Sequence, residues 1–163
     1  MDIKEIKNEI KQLQQYLKIL RKEESKFWKP KHQDRYWYVN GSGVVMEDEF
    51  DSFSEKTFNN FGNIYSTRME AFFMSRKQAY TYQLHKYARE HNENLLNWKN
   101  ETQEKWYIFY NYNTKELEYD YDLTCKNMGV VYFTSKQIAQ EAVKKVGEEN
   151  IKEFLFNILY KKS

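Results

Sequence analysis

Cysteine, proline and glycine are scarce in this chain. Its 163 residues include one Cys, one Pro and five Gly. A single cysteine, Cys125, excludes an intramolecular disulfide and fits a reducing compartment. So few glycines leave little room for flexible linkers or for a Gly-rich, phosphate-cradling loop. Charge of one sign is missing as well: 26 basic residues against 24 acidic give a net charge of +2. That is neither the footprint of a duplex-DNA binder nor the acidity of a nucleic-acid mimic. No apolar run is long enough to span a bilayer. The opening MDIKEIKNEI reads as a charged helix rather than a signal peptide, so the expected location is the cytoplasm.

Catalytic signatures are absent too. No G-x-S-x-G, H-E-x-x-H or phosphate-loop pattern occurs. His85 and His91 stand six apart on one helix and do not share a face, while His32 falls in a loop, so no metal site is expected. Cys125 has no histidine near it in sequence and reads as a bystander thiol. Without a nucleophile, base and orienter set, the chain is expected to be no enzyme and to need no cofactor.

Aromatic residues are abundant, at 18 %, with 14 Tyr, 11 Phe and 4 Trp, so the core is built more from rings than from Leu and Val. The expected fold class is α+β, in three parts. In residues 1–26, Ile3, Ile6, Ile10, Leu13, Leu17 and Leu20 recur at alternating three- and four-residue steps, a heptad seam that stops at Glu24. This predicts a coiled-coil helix that makes a homodimer. The alternative is one amphipathic helix packed on its own domain. Its many lysines could guide an arm onto nucleic acid or an acidic protein, or form its solvated face.

Residues 27–92 and 105–162 then carry one plan twice. In the first, Tyr36–Val39 is a strand, Asn40-Gly41-Ser42-Gly43 a turn and Val44–Met46 a second strand. Residues 47–60 are an irregular excursion or one more short strand. Residues 62–65 lead into a helix that starts at a Thr67/Glu70 capping box and runs to about His91. In the second, Trp106–Tyr112 and Leu117–Leu123 are strands, Val130–Phe133 a third, and Thr134 or Ser135 caps a helix that stops at Gly147. A final amphipathic helix turns Ile151, Phe154, Leu155, Ile158 and Leu159 inward. Aligning YWYV (36–39) with WYIF (106–109), and YSTRMEA (65–71) with FTSKQIA (133–139), makes each half a β-β-β-α unit, and units this small are expected to pack together.

The hairpin KWYIFYNYNTKELEYDYDL alternates so regularly that it could be an aromatic stacking platform for single-stranded nucleic acid. Leu117, Tyr119, Tyr121 and Leu123 share one face, but Glu116, Glu118, Asp120 and Asp122 line the other and would repel phosphate. An acidic, tyrosine-bearing face instead suits a basic protein partner. The candidate contact residues are these four acids together with Glu47, Asp48, Glu49, Phe50, Asp51 and Phe53.

The segments FWKPKHQDRYWYVNGSG, GNIYSTRMEA, KWYIFYNYN and GVVYFTSKQIAQEAVKKVGEENIKEFLF resemble a widespread group of small proteins encoded by phages and prophages of low-GC Gram-positive bacteria. The resemblance is clearest over residues 27–157. Its motifs are strand, cap and helix positions and bring no catalytic residues. Residues 44–60 depart from the group, which commonly carries a tryptophan there where Phe50 and Phe53 stand here. The resemblance implies a mobile-element accessory protein acting in the host cytoplasm. By analogy with anti-CRISPR and other anti-defence proteins, it implies an inhibitor that occludes a basic surface of a host immune effector. A nucleic-acid-binding accessory of phage replication or regulation is the alternative.

Overall fold

The computed structural model describes residue 28, residues 30–51 and residues 62–158. The heptad seam at Ile3, Ile6, Ile10, Leu13, Leu17 and Leu20, and also Phe53 and Leu159, lie outside the described residues. The fold is mixed α+β. Strands β1 (Arg35–Val39) and β2 (Val45–Glu49) form one antiparallel hairpin, and β3 (Lys105–Asn111) and β4 (Glu116–Asp122) form another. Helix α1 (Arg68–His91) separates the hairpins. After them come α2 (Lys136–Val146), the short α3 (Glu148–Asn150) and a π-helical turn (Ile151–Leu155). The chain divides into two compact units, the boundary falling inside α1 after Ala71, with the turn Gly41–Val44 assigned to the second.

Each unit is closed by the same device. In the first, the backbone of Trp37 exchanges two hydrogen bonds with Tyr65, at 3.0 and 2.8 Å. In the second, Trp106 does so with Phe133, at 2.8 and 2.7 Å. The expected third strands are therefore single bridges, because the chain turns into a helix cap right after each. Thr67 and Ser135 are those caps, their hydroxyls accepting the Glu70 and Ile138 amides, both at 3.2 Å. Glu70 reaches back to the Thr67 amide at 3.2 Å and completes the capping box. A cation from the first helical turn then covers each tryptophan, Arg68 at 5.9 Å from the Trp37 ring centre and Lys136 at 5.7 Å from that of Trp106. Ala71 and Ala139 follow at equivalent, fully buried positions.

The two hairpins thus share a bridge and a capped helix start, in a strand register one residue off the sequence alignment. Trp37 matches Trp106, which pairs Tyr36 with Lys105. Both of these are fully buried, Tyr36 edge-on to Phe50 in the first unit. In the second unit Leu84 and Ala88 of α1, the inner faces of β3 and β4, Phe133, the apolar stripe of α2 and Ile151 make one core. Phe154 adds an aromatic cluster with Phe73 and Tyr80, ring centres 5.3 and 5.4 Å away. Two expectations are corrected here. Residues 47–49 continue β2 rather than starting an irregular excursion. The last helix is only α3 and a π turn, and the chain leaves helical geometry at Phe156. Gly147, at φ 95°, breaks the helix from α2 as its sequence position suggests.

Candidate partner-binding surface

Strand alternation decides what the tyrosine-rich hairpin offers. The register pairs Trp106 with Tyr121, Ile108 with Tyr119 and Tyr110 with Leu117, so these six side chains share one face. Trp106, Ile108, Leu117 and Tyr119 pack against the second unit's core. The opposite face pairs Tyr107 with Asp120, Phe109 with Glu118 and Asn111 with Glu116. Tyr107 and Phe109 are half-buried there, their ring centres 6.2 Å apart. The result is a small aromatic ridge set in carboxylates.

Not all four acids are available to a partner. Glu118 is half-buried and accepts from Asn111 Nδ2 and Thr114 Oγ1, both at 2.8 Å, which holds the turn. Asp122 accepts from the Tyr132 hydroxyl at 2.9 Å and from Asn127 Nδ2 at 3.1 Å, fastening the following loop. Glu116 and Asp120 are exposed. Asp120 spends one oxygen on the neighbouring Tyr121 amide at 2.8 Å. The face therefore presents two exposed carboxylates, with two more acting as internal ties that sequence alternation alone cannot separate from them.

Among the other candidates, Glu47, Asp48, Glu49 and Asp51 are exposed in the first unit. Glu47 forms an ion pair with Arg35 at 3.3 Å, both side chains in water and worth little. Phe50 lies inside rather than on the surface. Only 4 % exposed, it packs on Tyr36, and its backbone bonds to Gln33 and Asp34, so it belongs to the unit's core. In β2, Glu47 and Glu49 lie on the same hairpin face as Trp37, whereas the β4 acids lie opposite Trp106. The two acidic stretches are thus built on different phases of the repeat.

No protein-family model, curated protein or solved structure matches the chain. Its chemistry has to be read from its own side chains. Among the described residues no three His, Cys, Asp or Glu side chains gather as a metal site would need, and no helix is long and apolar enough to cross a membrane. His91 stacks flat on Tyr87, with centres 3.8 Å apart, and its Nδ1 lies 3.0 Å from the Tyr87 carbonyl, so it serves the end of α1. Cys125 is exposed beside Thr124.

Sequence reasoning missed the residue that anchors one end of this face. Lys105 opens β3 and is fully buried, its ammonium donating to the carbonyls of Asn100 at 2.7 Å and Leu123 at 2.5 Å. The ring of Trp98 lies over the same ammonium, 5.3 Å from its centre, and Trp98 meets Tyr132 edge-on. A lysine at a strand start reads as solvated. The sequence alignment set Tyr36 against Trp106, so it gave no signal for Lys105.

Tyrosine ionisation reports on this arrangement. Burial first, then the charges of Asp120 and Asp122, push the Tyr107 hydroxyl above its ordinary pKa of 10.0. Burial also raises Tyr132. The Asn127 amide opposes that shift, and Asp122 adds to it. A raised folded-state value means the native protein holds these protons more tightly. Their contribution is complete below about pH 10 and is lost as pH rises through the elevated folded values. Phenolate absorbance followed against pH should show a late-titrating fraction that coincides with alkaline unfolding. In Asp122→Asn part of that fraction should titrate earlier. An Asp122→Asn curve superimposing on that of the unaltered protein would remove Asp122 from this role.

Proposed function

We propose that the protein is a non-enzymatic binding module that works by covering a basic surface of a partner. In keeping with its resemblance to phage-encoded accessory proteins, the partner is an immune effector of the bacterial host. The observation that carries this reading is the outer face of β3 and β4, where Tyr107 and Phe109 sit beside exposed Glu116 and Asp120. Aromatic side chains supply rigid contact area at low entropic cost, and a polar, charged rim steers encounter with an oppositely charged surface. A face of this kind repels nucleic-acid phosphate, which weighs against the stacking alternative.

The test is a pull-down of the tagged full-length protein from host lysate, with and without nuclease, repeated with Glu116→Lys/Asp120→Lys. Those two side chains make no tie that the fold depends on, so the variant should stay folded. A defence protein retained after nuclease, and bound at least tenfold more weakly by the variant, is the expected result, because losing two attractions and gaining two repulsions costs more than about 1.4 kcal/mol. Recovery of nuclease-sensitive material alone would overturn the reading.

A further inference from the structure

A second surface of the same unit has the opposite character. The C-terminal end of α1, the loop after it and the loop leading to Phe133 enclose a cleft of about 660 Å³. Its floor is apolar, made of Ala88, Leu96, Val130, Val131 and the rings of Trp98 and Tyr132. Its charged lining is Arg89 and Lys126 against the single acid Glu93, with His85 beside them. The size falls within the range of about 300–1,000 Å³ typical of binding clefts.

The walls are fixed before anything binds. Asn92 Oδ1 accepts the Thr134 amide at 3.0 Å, while its Nδ2 donates to the Tyr132 carbonyl at 3.2 Å, so one side chain locks the end of α1 to the opposite loop. Tyr132 is wedged edge-on between Trp98 and Tyr107, with ring centres 4.8 and 5.9 Å away, and its hydroxyl is tied to Asp122. Leu95, which lines the cleft, is 93 % exposed, so an apolar side chain stands in water at its edge. The neighbouring Lys86 pairs with Glu90, whereas among the described residues Arg89 and Lys126 pair with no carboxylate; Arg89 lies over the Tyr82 ring, 6.0 Å from its centre.

We propose that this cleft docks an acidic peptide segment of a partner protein. The segment seats a bulky apolar side chain on the floor and sets carboxylates against Arg89 and Lys126. A small anion confined to the cleft would leave Leu95 in water, whereas a peptide crossing the cleft covers it. Arginine's planar fork suits a carboxylate in two-point contact. The protein then carries two binding faces of opposite charge preference on one unit.

The experiment uses the isotope-labelled full chain and four probes in nuclear magnetic resonance titrations. These are a synthetic peptide of Glu and Asp with a central Leu-Trp, the same peptide with every acid replaced by Lys, adenosine monophosphate, and an oligothymidylate. Expected are shifts with the acidic peptide at the amides of Leu95, Lys126 and Val130 and at the Trp98 indole, weakening as salt rises. Affinity should fall at least tenfold in Arg89→Glu and in Lys126→Glu, and several-fold in Leu95→Ser. Lys126 lies on an exposed loop, so its variant keeps the test intact if Arg89→Glu folds poorly. Absence of shifts at the cleft, or an equal response to the lysine peptide, overturns the proposal. So does tighter binding of either the nucleotide or the oligothymidylate at the same residues.

Discussion

Lys105→Met is expected to lower the unfolding free energy by about 3 kcal/mol, seen as an earlier midpoint in urea. Methionine matches the length of lysine and keeps most of the packing, so the loss isolates the ammonium. Two carbonyls, of Asn100 and Leu123, lose a charged donor inside a fully buried site. Hydrogen bonds to charged groups contribute about 1.5–3 kcal/mol each, and relief of the buried ammonium's desolvation offsets part of that. The ammonium ties the loop before β3 to the residue after β4. The Met variant should therefore also speed amide exchange across residues 97–103 and alter Trp98 fluorescence, while the first unit's amides stay unchanged. A Met variant as stable as the unaltered protein would show that the ammonium's burial cost cancels its bonds, as happens for some buried ion pairs.

Phe133→Ala is expected to cost still more, about 4 kcal/mol, measured the same way. The ring is fully buried in the main core, against Leu84, Ala139 and Val143, and its backbone makes the bridge that closes the second unit. Truncation leaves a cavity the size of a benzene ring in a place where β3 and α2 are both anchored and cannot collapse together. The equivalent Tyr65 is only half-buried, so Tyr65→Ala should cost about half as much or less. A smaller effect at Phe133 than at Tyr65 would overturn the view that burial of the ring, rather than the shared backbone bridge, sets the cost.

Local rules made much of the fold readable. The Thr67/Glu70 box, the Ser135 cap, the Gly147 stop and the alternation in β3 and β4 all depend on neighbours a few residues apart, and each is where the pattern puts it. The acidic face was legible for the same reason. What the pattern could not show depends on how loops and turns fold back onto particular side chains. Lys105 is buried because two carbonyls from separate loops converge on it. Phe50 is buried because Tyr36 stands opposite it, and Glu118 and Asp122 are ties because Thr114 and Tyr132 come within reach. The cleft joins three separate segments, none of which carries a motif.

The twin closures pose a problem of fidelity during folding. Trp37 and Trp106 seek chemically similar aromatic partners across loops of similar length, and Tyr65 or Phe133 could answer either. Chains with tandem repeats misassemble by such exchanges, because the wrong pairing satisfies the same backbone bonds. The residue before each tryptophan does not break the tie, because its partners travel with its own hairpin: Tyr36 meets Phe50 at the end of β2, and Lys105 meets Asn100, Leu123 and Trp98 beside β3 and β4. Chain connectivity does. Each tryptophan reaches its own partner across a shorter stretch of chain than the other copy's, and the longer loop costs more entropy to close. The order of the elements along the chain thus favours the native pairing over a swap.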